Sequence, residues 1–590
     1  MSSNFHPFVL PFTIGTLALF SVLILKYNKW IGKFDRQQKK LIRRNLFTGK
    51  LIPAVWEMIN EGLFHKKVSR YNRRLGYMHR SIALGWFLLI SVGFVETVFH
   101  FQGRGHAPWI GVFFRFFVRD NQTLSAWIFA QIMDLLLLYI LSGVTMAVFK
   151  SIFSKTVGMR KTTRLKLFDT SLRYSLWSIF PLRLLSESAT AALADNGGFL
   201  TQSLGNLMGE RFAGVVELPL WTLYSIALGL FLCLLPFSRF SHIFTELMLI
   251  YFRKMGLRER EKPTGFTRFE LSACSRCGIC IDNCPLDSEL NITDIQPVYL
   301  IRDIRNRMPH RTATENCLMC NRCESDCPVG IQISEIRRQE RDKKKLDTHD
   351  NYGYIEDVQS FNAIGRVIYF GGCMSHLTPG ITESMKKIFD TVGQKYWMMD
   401  EERTICCGRP LLQQGFFNQA AELRRKNTQL IMESRSKTLV TSCPICYQAF
   451  RKEYNLPIKV VHHTEYIATM LRLGKLRLNR SELRLAYHDP CELGRGCGIY
   501  DEPREVLSAL GQLLKLEQEY KNSLCCGYNL GNTVLELDQQ LKVRDASLRN
   551  LTDAHPDFIA TACPLCKKAF QHSTTQPIKD VAELVVENLR

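Results

Sequence analysis

Eight cysteines between Cys274 and Cys327 have the types and the spacing for metal chemistry. Cys274, Cys277, Cys280 and Cys284-Pro285 read C-x2-C-x2-C-x3-C-P, and Cys317, Cys320, Cys323 and Cys327-Pro328 repeat the run without change. A zinc site closes with four ligands in a tetrahedron and has no use for a repeated Cys-Pro, so the spacing favours iron–sulfur chemistry over zinc. Ten more cysteines form a second repeated pattern. One copy has Cys373, Cys406-Cys407-Gly408 and Cys443-Pro444-Ile445-Cys446; the other has Cys491, Cys525-Cys526-Gly527 and Cys563-Pro564-Leu565-Cys566. Corresponding positions lie 118, 119 and 120 residues apart, so the two copies share one plan. Five thiols per copy exceed the four that a cube or a zinc ion takes, and a four-cysteine site with one spare thiol stays open on spacing alone. Adjacent cysteines do not close a comfortable disulfide, and the glycine after each pair permits an unusual backbone beside a bulky group.

Each cysteine group of the second pattern follows a short apolar run, namely 367–370, 438–440, 485–487 and 558–560, which predicts buried strands. Helical stretches over 417–434 and 536–550 separate them. The expected fold is two α/β units, 363–480 and 481–590, with small parallel sheets and ligands at the carboxyl ends of the strands. The first pattern sits in a helical module over 265–335, with a helix predicted within 294–312. Between them, 336–362 contains Arg341 to Lys345 and then Asn351-Tyr352-Gly353, which predicts a solvated connector.

The remaining residues, 1–250, predict a membrane domain. Apolar stretches near 8–26, 80–101, 124–149, 167–192 and 216–238 are long enough to cross a bilayer, which needs about 20 helical residues. The first has no Lys or Arg before it and no small-residue cleavage site after it, unlike a signal peptide. Segments 26–80, 150–166 and 251–262 are rich in Lys and Arg, whereas 102–122 and 193–215 are not. This asymmetry predicts an outside N-terminus and a cytoplasmic cysteine-rich half. A reducing compartment suits 20 cysteines that cluster in ligand spacings rather than in a disulfide framework. The net charge of +21 flanks the apolar spans, which points to a membrane and away from nucleic acid. The stretch 51–78 predicts an interfacial or intracellular hairpin. His79 opens the second span and His242 follows the fifth, at the same predicted depth, where two imidazoles can hold one haem iron. His100 and His106 have no partner at matching depth and are expected at the surface. Asp134, inside the third span, is expected to face the bundle or a quinone pocket.

Three resemblances sharpen these expectations. The repeated C-x2-C-x2-C-x3-C-P resembles the bacterial two-cluster ferredoxins, in which three close thiolates hold one [4Fe–4S] cluster and the fourth reaches to the other. That implies one cube on Cys274, Cys277, Cys280 and Cys327, and a second on Cys317, Cys320, Cys323 and Cys284. The five-span layout resembles the cytochrome b component of respiratory nitrate reductases and the related membrane components of heterodisulfide reductases. It shows in Met78-His79 before Gly85-Trp86 and in Pro236-Phe237-Ser238-Arg239-Phe240-Ser241-His242. The outer haem pair of that family would fall on Leu89 and Tyr224, so a single haem b on His79 and His242 is implied. The CCG pattern, with the ferredoxin-like module, is similar to the catalytic part of heterodisulfide reductases. That implies a noncubane [4Fe–4S] cluster on Cys373, Cys406, Cys407, Cys443 and Cys446, and another on Cys491, Cys525, Cys526, Cys563 and Cys566. His488-Asp489-Pro490 matches a recurring tripeptide of the same family and is absent from the first copy. The second cluster, with His488 tuning or protonating near it, is therefore expected to be the reactive one. Cys497 and Cys233 belong to no pattern, as a bystander thiol and a small apolar residue.

The resemblance implies an inner-membrane oxidoreductase passing electrons between a soluble donor, an electron transfer flavoprotein, and menaquinone. The alternative it implies is a menaquinol-dependent disulfide reductase. No G-x-G-x-x-G opens a βαβ unit, so a flavin is expected on the partner rather than on this chain.

Overall fold

The computed structural model describes residues 6–46, 48–101, 109–117, 123–153, 167–344, 367–403, 405–529, 531–532 and 534–590. The chain divides into two compact units, Met1–Ile279 with Pro328–Ile331, and Cys280–Cys327 with Gln332–Arg590.

The first unit is helical. It contains α1 (Leu10–Gly32), α2 (Arg73–Phe101), α3 (Leu124–Ile152), α4 (Leu167–Ala194), α5 (Phe199–Met208), α6 (Glu210–Leu234) and α7 (His242–Lys254). Four segments, Pro7–Gly32, Arg73–Phe99, Leu124–Ile152 and Glu210–Phe237, are long and apolar enough to cross a membrane. The expected fifth span exists as helix α4, but Asp169, Arg173, Arg183 and Glu187 keep it out of that group. Two of these charges turn inward as a pair. Arg183 Nε donates to Glu187 Oε1 at 2.7 Å, one turn along the helix, and both residues are buried. Arg183 Nη1 also reaches the Val112 carbonyl at 3.2 Å and the Tyr224 hydroxyl at 3.4 Å. Facing one another inside the bundle spares both charges from lipid. Asp134 also faces the bundle: its Oδ2 accepts from the backbone N–H groups of Leu200 at 2.7 Å and Thr201 at 3.0 Å. It thereby caps the otherwise unsatisfied N-terminus of α5. The expected hairpin over 51–78 is helical, with Leu51–Gly62 packed on α7. Much of the expected 102–122 and 150–166 loops lies outside the described residues.

The second unit begins with the short helices of the ferredoxin-like module, including α8 (Pro297–Asn306), and continues through α9 (Ile333–Lys344). Two four-stranded, all-parallel sheets follow, ordered β2-β1-β3-β4 and β6-β5-β7-β8. Strands β1 (Val367–Phe370), β3 (Thr438–Thr441), β5 (Arg484–His488) and β7 (Phe558–Thr561) are the four expected apolar runs. Strands β2 (Tyr396–Met398), β4 (Lys459–His462), β6 (Gln512–Leu513) and β8 (Ile578–Asp580) are edge or neighbour strands of two to four residues, too short to leave a periodic signal. Helices α10 (Phe417–Glu433) and α12 (Leu537–Thr552) match the expected helical stretches, while α11 (Pro444–Lys452) and α13 (Pro564–Phe570) open on the Pro of each C-P-x-C. Pro is favoured there because the first helical N–H has no partner to lose. One apolar core, containing Tyr369, Val440 and Tyr447 with Leu485, Tyr487 and Ala560, runs through both copies.

The connector expected over 336–362 is not solvated at its start. Residues 339–344 belong to α9, and Arg341 is 1% exposed. Its guanidinium donates to the carbonyls of Thr314 and Glu315, each at 2.9 Å, and of Gln413 and Gly531, each at 2.6 Å. Arg337, also 1% exposed, donates to the Ile295 carbonyl at 3.0 Å. A buried cation is tolerated where carbonyl dipoles occupy its donors, and here those carbonyls come from the ferredoxin-like module and from both sheet copies. Residues 345–366 lie outside the described residues.

Replacing Arg341 by Met keeps the apolar stem but strands four inward-pointing carbonyls. The cost should be about 3 kcal/mol or more, since each orphaned buried polar group costs roughly 1–3 kcal/mol. Heating the full chain in detergent while following cluster absorbance should show bleaching at a clearly lower temperature; an unchanged profile refutes the role.

Candidate metal centres

In the second unit, Cys284, Cys317, Cys320 and Cys323 line one cavity, together with apolar Leu286, Ile295 and Ile333. This is the four-cysteine set that the ferredoxin-like spacing implied. Burial, then the neighbouring Cys320 and Cys317, pushes the Cys284 thiol up to about 12. Burial likewise raises Cys323, with Cys320, Cys317, Cys280 and Cys284 adding to it. Convergent thiols that resist ionisation on their own are groups that a metal cation would hold as thiolates. Among the described residues no three His, Cys, Asp or Glu side chains close on one point as a single ion requires. Thiols arrayed around a cavity fit a four-iron cluster better than tetrahedral zinc. Of the other expected set, Cys274 and Cys277 fall in the first unit and Cys280 and Cys327 in the second.

The five-cysteine groups gather at the carboxyl ends of the strands. Each sheet runs to one side from β1 or β5 and then to the other, so its switch point lies between β1 and β3, or β5 and β7. Cys373 follows β1 while Cys443 and Cys446 follow β3; Cys491 follows β5 while Cys563 and Cys566 follow β7. Open α/β sheets place their ligands at this crevice. Cys406-Cys407 and Cys525-Cys526 enter from the loops after β2 and β6. In both copies the second cysteine of the pair is held low by hydrogen bonds from other thiols: Cys407 by Cys406 and Cys446, and Cys526 by Cys525 and Cys566. The Cys566 and Cys526 sulfurs are 3.5 Å apart. Gly408 and Gly527, after the pairs, take φ of +77° and +80°, the left-handed backbone expected of them.

The copies differ ahead of their first cysteine. In the first, Gly371 and Gly372 donate their N–H groups to buried Asp400 at 2.9 and 2.6 Å. A Cβ on Gly372, at φ +86°, would stand 2.9 Å from Cys446 Sγ and 3.0 Å from Cys443 Cβ, so only a bare backbone fits this cradle. In the second, His488 is buried edge-on against Phe570, with ring centroids 4.8 Å apart, and lies within electrostatic reach of Cys526. Burial lowers its basicity, and Cys526 and Asp489 oppose that. Asp489 is gripped by Arg504 at 2.6 and 2.7 Å.

The groups also adjoin one another. Cys320 of the cavity hydrogen-bonds with Cys525, and Cys563 feels the charge of Cys443. Cys407, Cys443 and Cys446 share an apolar cluster with Cys526, Cys563 and Cys566. The second copy therefore stands next to the ferredoxin-like cavity, with the first copy beyond it, the reverse of chain order.

In the first unit, Cys277 packs with Val68, Leu75, Met78, Ile279 and Met146. Its thiol is raised by burial, against which the Ile279 N–H and Lys150 act. Met78 precedes His79, which lies within electrostatic reach of His242, as their equal predicted depth implied. The His242 Nδ1–H donates to the Arg239 carbonyl at 2.9 Å, which fixes the orientation of the ring. His65, which sequence reasoning missed, stacks on His79 at 5.3 Å with planes 16° apart. Its Nδ1–H donates to the Leu63 carbonyl at 3.3 Å. Its only sequence signal was a histidine in the basic hairpin. The donor set fits a bis-imidazole haem at this end of the bundle. At the position of an outer haem, Leu89 is buried and Tyr224 packs with Phe113, Trp221 and Arg183. His106 and the side chain of His100 lie outside the described residues. Cys497 and Cys233 are partly buried and join no five-thiol group.

A 4Fe-4S dicluster domain model matches residues 270–331, and a cysteine-rich (CCG) domain model matches twice, at 367–451 and 485–571. The chain carries two copies of the CCG domain behind a 4Fe-4S dicluster domain. It is similar to one polypeptide of the dihydromethanophenazine:CoB–CoM heterodisulfide reductase of Methanosarcina mazei, 24% identical over 392 residues, covering 55% of this chain and 96% of that protein. It is also similar to the EtfAB:quinone oxidoreductase of Syntrophomonas wolfei, 24% identical over 480 residues, 62% of this chain and 67% of that one. One polypeptide of the fumarate reductase (CoM/CoB) of Methanothermobacter marburgensis is 25% identical over 365 residues, 53% of this chain and 72% of that protein. The relatives of this chain are iron–sulfur oxidoreductases, and this chain also carries four helices long and apolar enough to cross a membrane.

In this CCG-domain protein, Gly372→Ala should displace Cys443 and Cys446 although it removes no thiol. Iron analysis should show clearly less iron than in the parent protein. A full complement of iron would show that the cradle tolerates a side chain.

Proposed function

We propose that the protein carries electrons from a soluble electron transfer flavoprotein to menaquinone in the cell inner membrane, with its iron–sulfur half in the cytoplasm. A reduced flavin gives up two electrons, and menaquinone takes two electrons and two protons to become menaquinol. The observation that carries this reading is the succession of ligand groups within each unit. In the first, Cys277 packs beside Met78 and the His79 end of the helices. In the second, Cys280 lies near Cys323, Cys320 bonds with Cys525, and Cys563 lies near Cys443. His79 and His242 would hold one haem b; Cys274, Cys277, Cys280 and Cys327 would hold one cube, and Cys284, Cys317, Cys320 and Cys323 the other. The two five-cysteine groups would each hold a noncubane cluster. These groups supply one-electron steps between a two-electron donor and a two-electron acceptor. The flavoprotein is favoured because the Syntrophomonas relative is named for EtfAB and quinone and matches the longest stretch of those described above. Five spans, with α4 as the fifth, would bring the basic segments and the iron–sulfur half to one side.

A menaquinol-dependent disulfide reductase is the second reading. It is favoured by the adjacency of the two CCG groups, which would present two clusters to one substrate, and by the heterodisulfide reductase relative from Methanosarcina. In that case the second group, Cys491, Cys525, Cys526, Cys563 and Cys566 with His488, would be the reactive one.

Reduced electron transfer flavoprotein should drive reduction of a menaquinone analogue by the detergent-purified protein; turnover of a small disulfide with menaquinol and no flavoprotein would select the second reading instead. His79→Ala and His242→Ala should each abolish b-type absorbance while iron content stays near that of the parent. Survival of the haem band in both variants would remove these residues as ligands.

A further inference from the structure

One guanidinium joins Cys320 of the ferredoxin-like cavity to the loop that leads into the second copy's cysteine pair. Arg495 lies four residues after Cys491, on the short turn Gly494–Cys497. Its Nε donates to the Cys320 carbonyl at 2.8 Å. Its Nη1 donates to the Ser523 carbonyl at 2.8 Å, the Ser523 hydroxyl at 3.0 Å and the Lys521 carbonyl at 3.1 Å. Cys320 belongs to the cavity, and residues 521–523 lead directly into Cys525-Cys526, so one side chain fixes the spacing of both ligand loops. Its charge acts on the thiols of Cys320, Cys491 and Cys525, which belong to both groups. Among the described residues it has no salt bridge to a carboxylate, and its Nη2 is buried with no hydrogen-bond partner.

The first copy is arranged differently. The position equivalent to Arg495, 118 residues earlier, is Leu377. Arg409, two residues after its cysteine pair, acts on Cys407 but is met by Glu453 at 2.9 Å and Glu492 at 3.4 Å, so its charge is offset. Each electron accepted by a buried cluster adds one negative charge in a poorly screened interior. A fixed, uncompensated cation beside it favours the reduced form and raises the reduction potential. A donor aimed at cluster sulfur acts in the same direction.

We infer that Arg495 is a positioning residue that makes the two CCG centres unequal. It joins the second centre to the cube on Cys284, Cys317, Cys320 and Cys323, and its charge poises that centre as the first acceptor or last donor next to the cube. This rests on the assignment of clusters to those two thiol groups, but not on the identity of the flavoprotein or the quinone.

The test is a titration of the full-length protein with small-molecule redox mediators, read by low-temperature paramagnetic resonance. The second centre is identified as the signal missing from Cys563→Ser. Arg495→Met should lower the reduced-to-oxidised ratio of that centre about tenfold at a fixed potential, a shift of 59 mV for one electron. Iron content and the first CCG centre should be unchanged. Arg495→Lys, which keeps the charge, should retain most of the parent ratio. An unchanged ratio in Arg495→Met overturns the inference, as does an equal fall in both variants with iron retained. Loss of iron in both variants also overturns it, because the residue would then serve assembly alone. Since the mediators replace donor and acceptor, a failed flavoprotein or quinone assay leaves this result readable.

Discussion

Burying ionisable sulfur is the constraint on which the rest of this molecule depends. Of the ten CCG cysteines, Cys407, Cys443, Cys446, Cys525, Cys526, Cys563 and Cys566 are buried. Most of the thiols in the second unit are pushed above their ordinary range, with burial or a neighbouring sulfur as the cause. A thiolate in such surroundings is unfavourable unless a cation stands beside it. Iron is the cation that the ligand spacing anticipates, so holding the metal and completing the fold are one problem here.

The protein's own cations fill the places between ligand groups. Arg341 ties carbonyls from the ferredoxin-like module and both CCG copies, Arg495 ties the cavity loop to the second copy, and Arg409 with Glu453 and Glu492 ties the first copy to the second. Arginine suits this work because its planar fork serves several carbonyls at once and never loses its charge. Under the proposed cluster assignment, the residues that hold the loops at contact distance would also set the field at the clusters, so stability and redox poise would share residues.

In the helical unit the same economy appears with different partners. Arg183 and Glu187 neutralise each other, Asp134 caps α5, and His242 is oriented by a backbone carbonyl. One end of the helices keeps imidazoles, while Tyr224, Trp221 and Phe113 fill the position that a second haem would take. Polar chemistry is retained where the electrons are proposed to pass and replaced by aromatic packing where they are not.

Much of this was legible in the chain itself. Ligand spacing is a local property, so the two repeated thiol patterns were visible in the chain, and the resemblance to two-cluster ferredoxins implied the set Cys284, Cys317, Cys320 and Cys323 that lines one cavity. Apolar runs before each group gave β1, β3, β5 and β7, and a glycine after each pair gave the left-handed turns. What the chain could not disclose depends on contacts between distant residues. The run from Arg341 onward looked like solvated charge, and only the meeting of carbonyls from residues 314, 413 and 531 shows why Arg341 is buried. His65 became part of the histidine group only when the hairpin folded against α2. The order of the CCG groups, second before first, arises because tertiary packing, not chain distance, puts Cys525 against Cys320. Sequence spacing determines what each site can bind; three-dimensional packing decides which site touches which.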